Sequence, residues 1–106
     1  MSEAPAGVSK AFLTFMEQAP AHAQAAMQSI QALDAACALD EKTGELAYLA
    51  VLAALRMESG VPFHVKAAKA AGATREEVIS AVLISLPSAG MSAIQVLPAA
   101  LAAYDA

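Results

Sequence analysis

Three features of the 106-residue chain predict an all-α fold of five or six helices. No run alternates apolar and polar residues with period two, as a half-buried strand would. β-Branched residues are sparse, and alanine, the strongest helix former, makes up roughly a quarter of the chain. Apolar residues recur instead at three- and four-residue spacing between recognisable helix start and stop signals.

The first helix is expected from about Ser9 to Gln18, with Ser9 as its N-cap and Phe12, Phe15 and Met16 on one face. It must end before Pro20. A second helix runs from about Pro20 to Ala38, with Pro20 in its first turn and Met27, Ile30, Leu33 and Cys37 on one stripe. The third starts near Asp40, a natural cap, with Glu41 where the helix dipole favours an anion, and continues through LAYLAVLAALRM; Gly44 weakens it slightly. A fourth opens after Ser59-Gly60 with Pro62 in its first turn and stops at Gly72, an expected left-handed cap. Thr74-Arg75-Glu76-Glu77 has the form of a capping box and begins a fifth helix that runs to about Leu86. The sixth, from Ser88 or Ser92 to Tyr104, is expected to bend at Pro98. No linker and no fixed-period repeat divides the chain, so residues 1–106 read as one domain.

Composition narrows the function. Ten acids, six bases and a net charge of -4 leave no basic stripe for phosphates, so nucleic acid is not an expected partner. The single cysteine, Cys37, has no intramolecular disulfide partner, and no Cys/His cluster has metal-ligand spacing, so no metal or other cofactor is expected and a reducing cytoplasm suits the chain. MSEAPAGVSKAF carries an early acid and no basic n-region before an apolar run, unlike a signal peptide. Residues 78–104 carry no charge and are long enough to span a bilayer, but LPSAGMS and Pro98 interrupt them, so two buried helices are expected rather than a membrane span. Only 15% of residues are charged, against about 25% in ordinary domains. A homo-oligomer is therefore expected, with the charge-free 78–104 segment as its contact surface.

Three ionisable residues near the junction ALRMESGVPFHVKAA are candidates for chemistry: Glu45, Arg56 and His64. Glu45, Leu49, Leu52 and Arg56 fall on one helical stripe, with the carboxylate and guanidinium roughly 16 Å apart along the axis, too far to pair. His64 lies in the first turn of the following helix, where the dipole favours the neutral imidazole that a general base requires. Each also has a plain reading: Glu45 as a solvated residue favoured by the dipole, His64 as a hydrogen-bonded structural residue, and Arg56 as a surface or interface residue. Cys37 and the methionines 16, 27, 57 and 91 are expected to fill the core.

The segment from about Asp40 to Ala103 resembles the carboxymuconolactone decarboxylase and AhpD-like alkylhydroperoxidase family. The residues that carry the likeness are DEKTGELAYLAVLAAL, HVKAAKAAGATREEV and ISAVLISLPSAGMSA. The resemblance implies an AhpD-like helical core over 40–103 preceded by N-terminal helices in 1–39, assembled as trimers or hexamers. In the family's redox branch a Glu precedes the first Cys of a C-x-x-C by twelve residues, and a His follows the second by four. Glu45 and His64 occupy the acid and histidine positions in that register, whereas Met57 and Gly60 occupy the cysteine positions. A thioether has no ionisable proton and glycine no side chain, so dithiol peroxidase chemistry is not expected.

The decarboxylase branch implies a cofactor-free proton shuttle on a small organic acid. His64 would move the proton, Glu45 would orient the imidazole, and Arg56 would pair with a substrate carboxylate. Two alternatives stand beside it. One is a non-catalytic helical oligomer whose pocket is filled by Phe63 and Met57 and serves packing or small-ligand binding; the other is residual peroxidase activity through Cys37.

Overall fold

A computed structural model describes residues 7–106, so the first half of the N-terminal stretch read against a signal peptide lies outside the described residues. Among the described residues there are seven α-helices: α1 Lys10–Gln18, α2 Pro20–Ala36, α3 Glu41–Leu55, α4 Val61–Ala70, α5 Arg75–Leu83, α6 Leu86–Ala89 and α7 Leu97–Asp105. Single 3-10 segments, Glu58–Gly60 and Met91–Val96, precede α4 and α7. No strand occurs among the described residues.

The helix starts follow their local chemistry. Ser9 accepts from the Phe12 N–H, and Asp40 accepts from the Thr43 N–H at 2.8 Å. Thr74 and Glu77 complete a reciprocal capping box at the start of α5. Pro62, Pro87 and Pro98 each sit in a helix's first turn, where a missing N–H costs nothing. At the end of α4, Gly72 takes φ +99, the Gly72 N–H donates to the Lys69 carbonyl and the Ala73 N–H to that of Ala68. These are the paired bonds of a Schellman cap.

The core lies among α3, α4, α5, the second 3-10 segment and α7. Its side chains are small: Leu49, Val61, Val65, Val78, Val82 and Val96 are its largest fully buried members, with alanines between them. Alanine and valine allow the helices to approach closely, so the core gains contact density from backbone proximity rather than from large side chains. Polar latches hold the ends together. Lys42 bridges α3 to Glu77 on α5 at 3.1 Å, and Arg75 grips Asp105 through two nitrogens at 3.0 and 3.1 Å. The Tyr104 hydroxyl donates to the Ala73 carbonyl, and the Lys69 ammonium lies over the Tyr104 ring.

Several expectations are corrected. The fifth helix ends at Leu83 rather than Leu86, because Pro87 has no N–H to donate to the Leu83 carbonyl. The expected sixth helix is three pieces, separated at Gly90 with φ +77, and Pro98 starts α7 rather than bending it. Much of the charge-free 78–104 segment enters the chain's own core, where Val78, Val82, Ala93, Val96 and Ala100 are fully buried, while Ile84, Met91 and Ile94 stay exposed. No helix among the described residues is long and apolar enough to cross a membrane. The second helix stops at Ala36, which leaves Cys37 exposed at its end rather than in the core. Met16, Met27, Met57 and Met91 are also exposed and do not fill the core.

Two measurements check this packing. Leu49→Ala removes the one fully buried leucine and should cost about 3 kcal/mol in denaturant unfolding. Acid should act through three carboxylates. The Thr43 backbone N–H holds Asp40, the Thr74 N–H and then Lys42 hold Glu77, and Arg75 holds Asp105, each below its ordinary value of 3.8, 4.5 and 3.8 respectively. Because the folded values lie below the unfolded ones, the stabilisation is complete above the ordinary values and lost as pH falls through the folded ones. Thermal scans should therefore show a midpoint insensitive to pH above about 5 that declines as pH falls below about 4.

Candidate functional site

The elbow between α3 and α4 brings the candidate residues together. α3 closes with the Arg56 N–H donating to the Ala53 carbonyl and the Met57 N–H to that of Leu52, the same paired bonds that close α4. Here the left-handed residue is Arg56, at φ 57 and ψ 38, the sole non-glycine with positive φ among the described residues. That conformation costs an arginine about 1 kcal/mol relative to glycine. The 3-10 turn Glu58–Gly60 then reverses the chain, and α4 packs back along α3 with Leu49, Leu52, Val61 and Val65 buried.

This reversal sets the second turn of α3 beside the first turn of α4. Nδ1 of His64 lies 2.8 Å from Oε2 of Glu45, and both side chains retain 24% of their exposure. A carboxylate accepts hydrogen bonds and does not donate them, so in the neutral ring this contact takes the proton on Nδ1 and leaves the Nε2 lone pair for other work. The Tyr48 ring stacks on the imidazole at 4.3 Å, tilted 31°, and the Phe63 ring meets it edge-on at 5.2 Å. The ring is thus fixed by one hydrogen bond and two aromatic contacts.

The other sequence candidates fare differently. Arg56 does not continue the Glu45 stripe, because α3 ends at Leu55 and the left-handed turn redirects the chain. Its side chain is exposed and makes no hydrogen bond or ion pair among the described residues. Met57 and Phe63 are 49% and 38% exposed, so they fill no pocket within the chain. Gly60 is a position that accepts a side chain: an added Cβ would meet only the two methyl carbons of Leu52, at 3.4 and 3.5 Å. Gly7 is the opposite case, with φ +85 and a Cβ position 2.7 Å from the Phe63 nitrogen, so the segment before α1 rests directly on the first turn of α4.

Tyr48 was missed by sequence reasoning. Its signal was available, because it stands three residues after Glu45 and so shares that face of α3. Two surface concavities, of about 400 and 470 Å³, lie along Asp40–Lys42 with Gly72 and between α3 and α5; neither is lined by Glu45 or His64. Among the described residues no group of three or more His, Cys, Asp or Glu side chains forms a metal donor set.

The chain matches the model of the carboxymuconolactone decarboxylase family over residues 20–105. The match begins at α2, earlier than the 40–103 segment singled out from the sequence. No curated protein and no solved structure matches the chain.

A double-mutant cycle tests the contact itself. Glu45→Ala, His64→Ala and the double variant should show a coupling of about 1 kcal/mol in unfolding free energy, as expected for a partly solvated charge-assisted bond. Additive effects would show that the two side chains do not interact.

Proposed function

The chain belongs to the carboxymuconolactone decarboxylase family, and on that premise we propose that it carries out cofactor-free acid/base chemistry on a small organic acid, with His64 moving the proton. The observation that supports this reading is the 2.8 Å contact between Nδ1 of His64 and Glu45. A ring held at Nδ1 by a carboxylate presents Nε2 as the atom that takes up and returns a proton, and the carboxylate stabilises the imidazolium formed in between. The redox positions Met57 and Gly60 carry no thiol, so the site is a degenerate form of the dithiol one and retains only its proton-transfer pair.

In a decarboxylase-like reaction, the bond between the substrate's carbon and its carboxylate breaks and the electron pair moves onto a conjugated carbonyl as carbon dioxide leaves. Nε2 of the neutral His64 ring first takes the proton of the substrate's carboxylic acid, and once carbon dioxide has left the resulting imidazolium delivers that proton to the carbon, which regenerates the neutral imidazole. Glu45 is a positioning residue throughout. Arg56, exposed just beyond α3 and unpaired among the described residues, binds a second carboxylate of the substrate. The protein acts as a homo-oligomer in the cytoplasm.

A second reading is favoured by the exposure of Cys37, which leaves a thiol open to peroxides at the end of α2. Loss of titratable thiol on treatment with a hydroperoxide would support it. Unchanged thiol would remove it.

The lyase reading is tested by carbon dioxide release from a panel of lactone acids. His64→Ala should lower kcat by about 100-fold or more, and Arg56→Ala should raise KM with kcat little changed. Turnover unaffected by His64→Ala would contradict the assignment. A wild-type protein that binds such acids without releasing carbon dioxide would instead favour a non-catalytic binding role.

A further inference from the structure

The described residues leave two apolar stripes uncovered, on different helices. α2 is 17 residues long yet buries only Ala23, and its main packing is against α1. Ile30 and Leu33 stand 43% and 67% exposed on a helix whose only ionisable residues are His22 and Asp34. A helix of that composition is ordinarily covered. The second stripe is the outer face of α3, where Tyr48, Val51 and Leu55 are 50, 53 and 62% exposed at spacings of three and four. Beside it runs the groove of about 470 Å³ between α3 and α5, flanked by Ile84 at 72% exposed.

We propose that the α2 stripe of one copy of the chain lies on the α3 face of a second copy. This deepens, and rests on, the reading of the protein as a homo-oligomer, and it names the two surfaces that meet. The two elements match in length, about 25 Å for α2 and about 22 Å for α3. Neither stripe contains a charge, so no desolvated ion is left in the contact. Within its own chain α2 does not lie along α3, which leaves the α3 face for another copy. Each of these side chains has on the order of 60–100 Å² to lose. In a two-fold pair, where each copy gives one stripe and receives another, these ten side chains bury about 600–1,000 Å², reaching the lower bound of a specific interface.

The contact joins two different patches, so it closes either reciprocally in a two-fold pair or head to tail in a ring. In both cases it places a partner helix over Tyr48, whose ring rests on His64, and shields that side of the imidazole from water.

The test uses two full-length variants in a Cys37→Ser background, one carrying Leu33→Cys and the other Val51→Cys, both at exposed positions where folding is little affected. The wild type should sediment well above 10.8 kDa at micromolar concentration. Mixing the variants with a short bismaleimide should give predominantly the 33-to-51 cross-linked heterodimer, with little 33-to-33 or 51-to-51 product. Leu33→Glu or Val51→Glu should lower the sedimenting mass towards 10.8 kDa. A wild-type monomer would overturn both the oligomer and this contact. An oligomer that gives mainly like-with-like cross-links, or survives both glutamates, would overturn the contact alone.

Discussion

The packing of α4 back along α3 is the constraint on which the rest of the molecule depends. Leu49 and Leu52 from one helix and Val61 and Val65 from the other bury themselves at the seam, and the reversal that permits it is a single elbow of five residues, Arg56–Gly60. The elbow places an arginine where glycine is usual, and the burial along the seam offsets the conformational cost. Because α5 and α7 pack onto this pair, the position of Glu45 relative to His64 is set by the core and not by the two side chains alone. A hydrogen bond between residues nineteen apart in sequence can then persist at 24% exposure.

What was legible in the sequence is what is decided locally. The caps at Ser9, Asp40 and Thr74 were readable because a short polar side chain must satisfy N–H groups within the next three residues. Pro20 and Pro62 marked first turns for the same kind of reason, whereas Pro98, read as a bend, also starts a helix. The Glu45–His64 pairing came from the family register rather than from periodicity, since no helical spacing links residues on separate helices. Tyr48 lay on the Glu45 face, but spacing alone does not tell whether an aromatic ring turns towards the core or across to a neighbouring helix.

Two of the misreadings share one cause. Periodicity reveals that a helix has an apolar face and says nothing of what covers it. Met27 and Cys37, which share a stripe with Ile30 and Leu33, were read as core, yet that stripe faces outward in the single chain. The charge-free 78–104 segment was read for its outer surface, yet most of its valines and many of its alanines meet α3 and α4 inside the core, and Ile84, Met91 and Ile94 face outward. The breaks at Pro87 and Gly90 allow this by folding the segment into three short pieces that wrap the core. Arg56 misled for a different reason: an arginine at a left-handed helix end carries no sequence signal comparable to the glycine that ends α4.

The account's central claim is that Glu45 holds the proton on Nδ1 of His64 and leaves Nε2 free to work. The most direct measurement is a two-bond proton–nitrogen correlation spectrum of the His64 ring in the wild-type protein at a pH where the imidazole is neutral. The account predicts a protonated Nδ1 and a bare Nε2. A ring that carries its proton on Nε2, the tautomer common in free histidine, would contradict it.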